Sequence, residues 1–181
     1  MNKINNLNKL SNKAKSLIKL KKFDKAIPIY EAILEIDNMH PIALSHLGII
    51  FLMKERYEEA IEVIEKSFKV LNPAVGDFQN LATAYIGLKD YDNAINAYQR
   101  IIQIEPNNQE IFKILGDLQM KVADHPAALD SYKNALNLEP EKFEALYDFG
   151  VVLHVNKYHD EAIEILSKAH KIDANHIECM N

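Results

Sequence analysis

Five stretches decide the fold: FDKAIPIY (23–30), YEEAIEVI (57–64), YDNAINAY (91–98), HPAALDSY (125–132) and HDEAIEIL (159–166). They begin 34 residues apart, with no insertion or deletion between them. A fixed period of this size marks a chain built by stacking copies of one supersecondary unit, none of which can bury its apolar face alone. The period divides the chain into units 7–40, 41–74, 75–108, 109–142 and 143–176. Residues 1–6 are then an N-terminal extension, and 177–181 the start of an incomplete sixth repeat or a tail.

Numbering each unit from 1 to 34 aligns two rows of small residues. Position 8 reads Ala14, Gly48, Ala82, Gly116, Gly150, and position 20 reads Ala26, Ala60, Ala94, Ala128, Ala162. Side chains this small at two fixed places imply that two helices approach closely there, because larger groups would hold their axes apart. Larger residues surround them: Leu10, Leu44, Phe78, Phe112 and Leu146 at position 4, and Tyr30, Ile64, Tyr98, Tyr132 and Leu166 at position 24. Positions 4, 7, 8 and 11 form an i, i+3, i+4, i+7 stripe, and positions 20, 24 and 27 form a second one. Each unit therefore reads as an antiparallel helix pair, with breakers such as Asn72-Pro73, Pro106 and Pro140 at the unit ends. Pro126 suits a helix's first turn, whereas Pro28 should delay or bend its helix.

Composition agrees with an all-α fold. One Thr (Thr83), five Gly and six Pro in 181 residues leave little material for strands and their turns. A single cysteine, Cys179, excludes an internal disulfide, and a signal-like or membrane-spanning apolar run is missing, which points to a cytoplasmic protein. Charge is uneven. Residues 1–25 carry eight Lys against one Asp (Asp24) while the whole chain stands at −5, so the remaining units are strongly acidic and would repel phosphate. This argues against nucleic acid and against a membrane surface as partner.

The same residues resemble the tetratricopeptide repeat (TPR) family over nearly the whole chain. Phe78, Leu81-Ala82, Tyr85, Tyr91, Ala94, Tyr98 and Pro106 of the third unit follow that family's pattern. Two departures stand out: Lys13 at position 7, which suits a solvent-facing terminal repeat, and Gln119 at position 11, a buried polar group in need of a partner. The resemblance implies an α-α superhelix, a right-handed solenoid of five antiparallel helix pairs. It also implies a non-catalytic scaffold that holds a peptide or helix of another protein in a concave groove.

On that resemblance the groove is lined from the first helix of each unit, and the residues expected to bind a partner are Lys15, Lys19, Ile42, His46, Ile49, Met53, Asn80, Ile86, Asp117 and Asp148. The middle of the row is apolar, Lys15 and Lys19 make one end basic, and Asp117 and Asp148 make the other acidic. The clamp with which some members hold acidic C-terminal tails is absent, since Glu144 and Asp148 stand where it requires cations. An asparagine ladder that other members carry beside glycosyltransferase domains is represented only by Asn12 and Asn80. It motivates an alternative, a targeting or substrate-selecting arm of a larger enzyme such as a glycosyltransferase.

Chemistry finds no footing in the sequence. None of the seven His residues stands in an HExxH or Cys/His cluster, and no phosphate-binding or nucleophile motif occurs, so no catalytic residue, metal or cofactor is expected. His125 and His159 take position 17, where the first three units have Phe23, Tyr57 and Tyr91, and read as aromatic replacements. The abrupt end after the fifth unit suggests one of two things: a fragment of a longer protein, or a second helix covered by another copy in a homo-oligomer.

Overall fold

The structure is a computed structural model that describes the backbone of residues 2–180 and the side chains of residues 5–172. The chain is all-α. In order it forms α1 (Asn2–Lys19), α2 (Phe23–Ile36), α3 (Pro41–Met53), α4 (Tyr57–Ser67), α5 (Val75–Gly87), α6 (Tyr91–Ile104), α7 (Gln109–Lys121), α8 (His125–Leu138), α9 (Phe143–Val155) and α10 (His159–Met180). Each unit read from the sequence thus supplies one odd-numbered and one even-numbered helix. The helices fall into two compact bodies, Met1–Asp90 and Tyr91–Asn181.

Within the first body α1 packs on α2, α2 on α3, α3 on α4 and α4 on α5, and α3 also touches α5. The second body repeats the scheme, with α6 on α7, α7 on α8, α8 on α9 and α9 on α10. The two rows of small residues sit where the helices meet. Ala14, Ala26, Ala60, Ala82, Ala94 and Ala128 are fully buried, and Ala162 nearly so. The glycines show why these places stay small: a Cβ on Gly48 would lie 2.8 Å from Ile64 Cγ1, and one on Gly116 would lie 2.8 Å from the Tyr132 ring. A Cβ on Gly150 would come within 2.6 Å of Leu166. In each case the obstacle is the position-24 side chain of the same unit.

One local device recurs in all five units. Lys21, Glu55, Lys89, Ala123 and Lys157, all at position 15, have φ between 55 and 68°. Each follows the odd-numbered helix and closes it with a pair of backbone bonds, as in Lys157 N–H to His154 O (3.0 Å) and Tyr158 N–H to Leu153 O (3.0 Å). This is the Schellman closure, in which a left-handed residue reverses the chain and satisfies the last carbonyls. No glycine occupies any of the five places, so each carries the strain of an L-residue in that conformation.

Helix starts follow ordinary capping chemistry. Asn108 Oδ1 accepts from Ile111 N (3.3 Å), and Asp124 Oδ1 from Ala127 N (3.2 Å), with Pro126 in the first turn of α8. Pro28 lies inside α2, exposed, and the helix runs from Phe23 to Ile36 through it, so of the delay or bend expected from the sequence the delay does not occur.

Lys13 is exposed, as a terminal repeat requires. Gln119 is buried and does find partners: the amide orientation that suits its surroundings sets its nitrogen 2.6 Å from Ser131 Oγ, 3.0 Å from Ala127 O and 3.1 Å from Leu115 O. His159 is exposed and stands against His154, Nδ1 to Nδ1 at 3.3 Å, in place of filling an aromatic position. At the two ends, α1 takes in residues read as an extension and α10 continues as one helix through residues 177–180. The side chains of Cys179 and Met180 lie outside the described residues.

Candidate partner-binding face

In the first body the candidate residues lie on the odd-numbered helices. Ile42, His46, Ile49 and Met53 follow i, i+4, i+7, i+11 along α3 and so share one face of it. The opposite face of α3 carries Ala43, Leu44, Leu47, Ile50 and Phe51, all buried. Ile42, Ile49 and Met53 are 38, 43 and 59% exposed, an aliphatic stripe on a helix otherwise engaged with its neighbours.

His46 is half-buried in the middle of that stripe, its ring 5.4 Å from Tyr30 and its Nδ1 2.9 Å from Ile42 O. Burial lowers its pKa, as does the charge of Lys15, while the Ile42 carbonyl works against them. Burial also lifts the Tyr30 hydroxyl to about 12. Lys19 is exposed near the end of α1, and Asn80 and Ile86 are half-buried on α5. Beside them Tyr85 donates to Glu65 Oε1 at 2.8 Å, and its hydroxyl too is pushed up to about 12, first by burial and then by that carboxylate.

The second body carries Asp117 and Asp148 on α7 and α9, and the structure joins them through a cavity of about 240 Å³. Tyr132 from α8 donates to Asp117 Oδ1 at 2.5 Å, and Lys113 Nζ pairs with Asp148 Oδ2 at 2.8 Å. Burial, followed by the Asp117 hydrogen bond, holds the Tyr132 hydroxyl far above the usual phenol range. The hydrogen bond to Asp148 is the main cause that raises the Lys113 pKa. Next to the cavity α9 exposes its own stripe, Tyr147, Val151 and Val155, at 49, 39 and 50%. The residues expected from the sequence to bind a partner include Asp148 on this helix and none of these three. Their i, i+4, i+8 spacing, the counterpart of the stripe on α3, was the available signal.

Among the described residues no group of three or more His, Cys, Asp or Glu is arranged to hold a metal ion. Among them, too, no helix is long and apolar enough to cross a membrane. The recurring Schellman turn and the small-residue contacts define a helical-repeat protein, and its odd-numbered helices α3 and α9 carry exposed apolar stripes.

Two forms of the tetratricopeptide repeat pattern match residues 11–67 and 114–176, and residues 78–108. The chain belongs to the tetratricopeptide repeat family. Among solved structures it is similar to the protein MamA, with a TM-score of 0.77 at 20% identity over 95% of this chain and 94% of that one. It is also similar to YrrB, described as a TPR protein with an unusual peptide-binding site, with a TM-score of 0.73 at 24% identity over 93% and 87%. At these identities the likeness speaks for the fold. Among curated proteins none matches the chain in sequence.

Proposed function

We propose that this protein is a non-catalytic interaction scaffold that binds an extended or helical segment of a partner protein on the faces of its odd-numbered helices. The observation that carries the reading is the pair of exposed apolar stripes, Ile42, Ile49 and Met53 on α3 and Tyr147, Val151 and Val155 on α9. Exposed aliphatic rows rimmed by charged groups are the surface physics of a partner site, and methionine adapts to varied partners. The charges differ between the two bodies: Lys15 and Lys19 accompany the first stripe, Asp117 and Asp148 the second. Partner segments for the first body are therefore apolar and acidic, and those for the second apolar and basic. The solved structure of YrrB, with its peptide-binding site, supports the same reading by likeness of fold.

The test is selection from a random peptide library displayed on phage. Selected peptides should carry aliphatic residues, and Ile49→Asp with Met53→Asp, or Val151→Asp with Val155→Asp, should abolish their binding. Lys133→Ala on the exposed side of α8 should leave it unchanged. Failure to select any peptide, or binding indifferent to the stripes, overturns the proposal.

A further inference from the structure

The cavity between α7 and α9 has a more definite chemistry than the stripes. Its walls include Asp117, Met120, Tyr132, Tyr147, Asp148 and Val151. Each carboxylate is fixed through one oxygen, Asp117 by the Tyr132 hydroxyl and Asp148 by Lys113, and this leaves Asp117 Oδ2 and Asp148 Oδ1 as acceptors. Lys113 offsets one of the two charges, so the pair keeps a net negative charge. Tyr147 adds an aromatic wall, its ring stacked on Phe143 at 5.8 Å and 22°.

Resting on the partner-binding reading above, we propose that this cavity receives an arginine side chain of the bound segment. A guanidinium presents five donors in a planar fork, which lets it address carboxylates on two helices at once and lie against a tyrosine ring. An ammonium is a compact point charge that can do less of this. The aliphatic neighbours of the arginine would lie on Val151 and Val155, continuous with the cavity. At the corresponding repeat positions of the first body stand Lys15, Tyr30 and His46, and again Ile49, Ile64 and Asn80, with no carboxylate among them. The preference therefore belongs to this cavity and is not a feature of every unit.

The test needs no partner. The intact, nitrogen-labelled protein is titrated with N-acetyl-arginine amide, N-acetyl-lysine amide and N-acetyl-norleucine amide while amide chemical shifts are followed. The arginine compound should give saturable shifts confined to α7, α8 and α9 around Asp117, Tyr132 and Asp148. Binding should weaken about tenfold or more, a change equivalent to about 1.4 kcal/mol, in Asp117→Asn and in Asp148→Asn. Both substitutions keep shape, and Asp117→Asn keeps an acceptor for Tyr132. Tyr147→Leu, which leaves both carboxylates in the chain, should weaken it as well, and each variant's amide spectrum reports whether it is folded. No localised shifts, an equal response to the lysine or norleucine compound, or shifts that survive in folded Asp117→Asn and Asp148→Asn would overturn the proposal. Peptides selected from the library alongside such a result would leave the scaffold reading standing. An arginine response without any selected peptide would fail the scaffold reading and keep the cavity.

Discussion

Replacing one lysine by glycine should have opposite effects at two places in the same body. Lys157 holds φ at 68° in the turn between α9 and α10, where an L-residue is strained by roughly 1–2 kcal/mol. Glycine removes that strain but costs about 0.5–1 kcal/mol in the entropy it loses on folding. Lys157→Gly should therefore stabilise by about 0.5–1 kcal/mol. Lys133 is exposed in the interior of α8, where the same change should cost about 1 kcal/mol by helix propensity. For a chain of this length about 1 kcal/mol moves the melting temperature by roughly 2–4 °C. Thermal unfolding followed by far-ultraviolet circular dichroism should show Lys157→Gly melting above, and Lys133→Gly below, the parent protein. Shifts of the same sign would refute the assignment of position 15 as the left-handed hinge of each pair.

Ala128 is fully buried beside Tyr132 and Val152, so Ala128→Leu should overpack that contact and cost ~1–3 kcal/mol in urea unfolding, while Glu62→Leu on exposed α4 should be nearly silent. Gln119→Leu should cost ~1–2 kcal/mol by stranding the Ser131 hydroxyl, and adding Ser131→Ala should recover part of the loss; additive losses would contradict the buried pair. Tyr30 ionises near 10 when unfolded and at about 12 when folded, so the stability it contributes is complete below pH 10 and lost as pH rises toward 12; urea midpoints should fall over that window, less steeply in Tyr30→Phe. Ile163 is 66% exposed and Tyr158 50% on or beside α10, a surface that a second copy can cover; sedimentation should show concentration-dependent dimers that Ile163→Glu abolishes, and a strict monomer would contradict this.

The fold was legible because its requirements are repeated. Five copies of two small residues per helix pair, with a larger side chain at position 24 set against the first of them, leave one packing solution, and the buried alanines and the Gly116 contact with Tyr132 realise it. The hinge at position 15 was invisible, because its usual signal is glycine and this chain places Lys, Glu and Ala there. Gln119 could be flagged as buried, but its partner Ser131 is twelve residues away across a helix turn, a pairing that depends on three-dimensional register. The candidate face was legible as a set of positions. The cavity that Asp117 and Asp148 share was hidden: Tyr132 sits in a core row, and its hydroxyl reaches Asp117 only in the folded packing. The pairing of His154 with His159 was missed because it crosses the turn between two helices.

Partner segments are proposed to bind on the odd-numbered helices. The most direct measurement is a methyl NMR titration of the intact protein with a peptide selected from the library. Ile49 and Met53, or Val151 and Val155, should shift saturably, while Ile104 on α6 and Ile163 on α10, which are equally open to solvent, should not move. Shifts confined to Ile104 or Ile163 would place the site on the even-numbered helices and overturn the proposal.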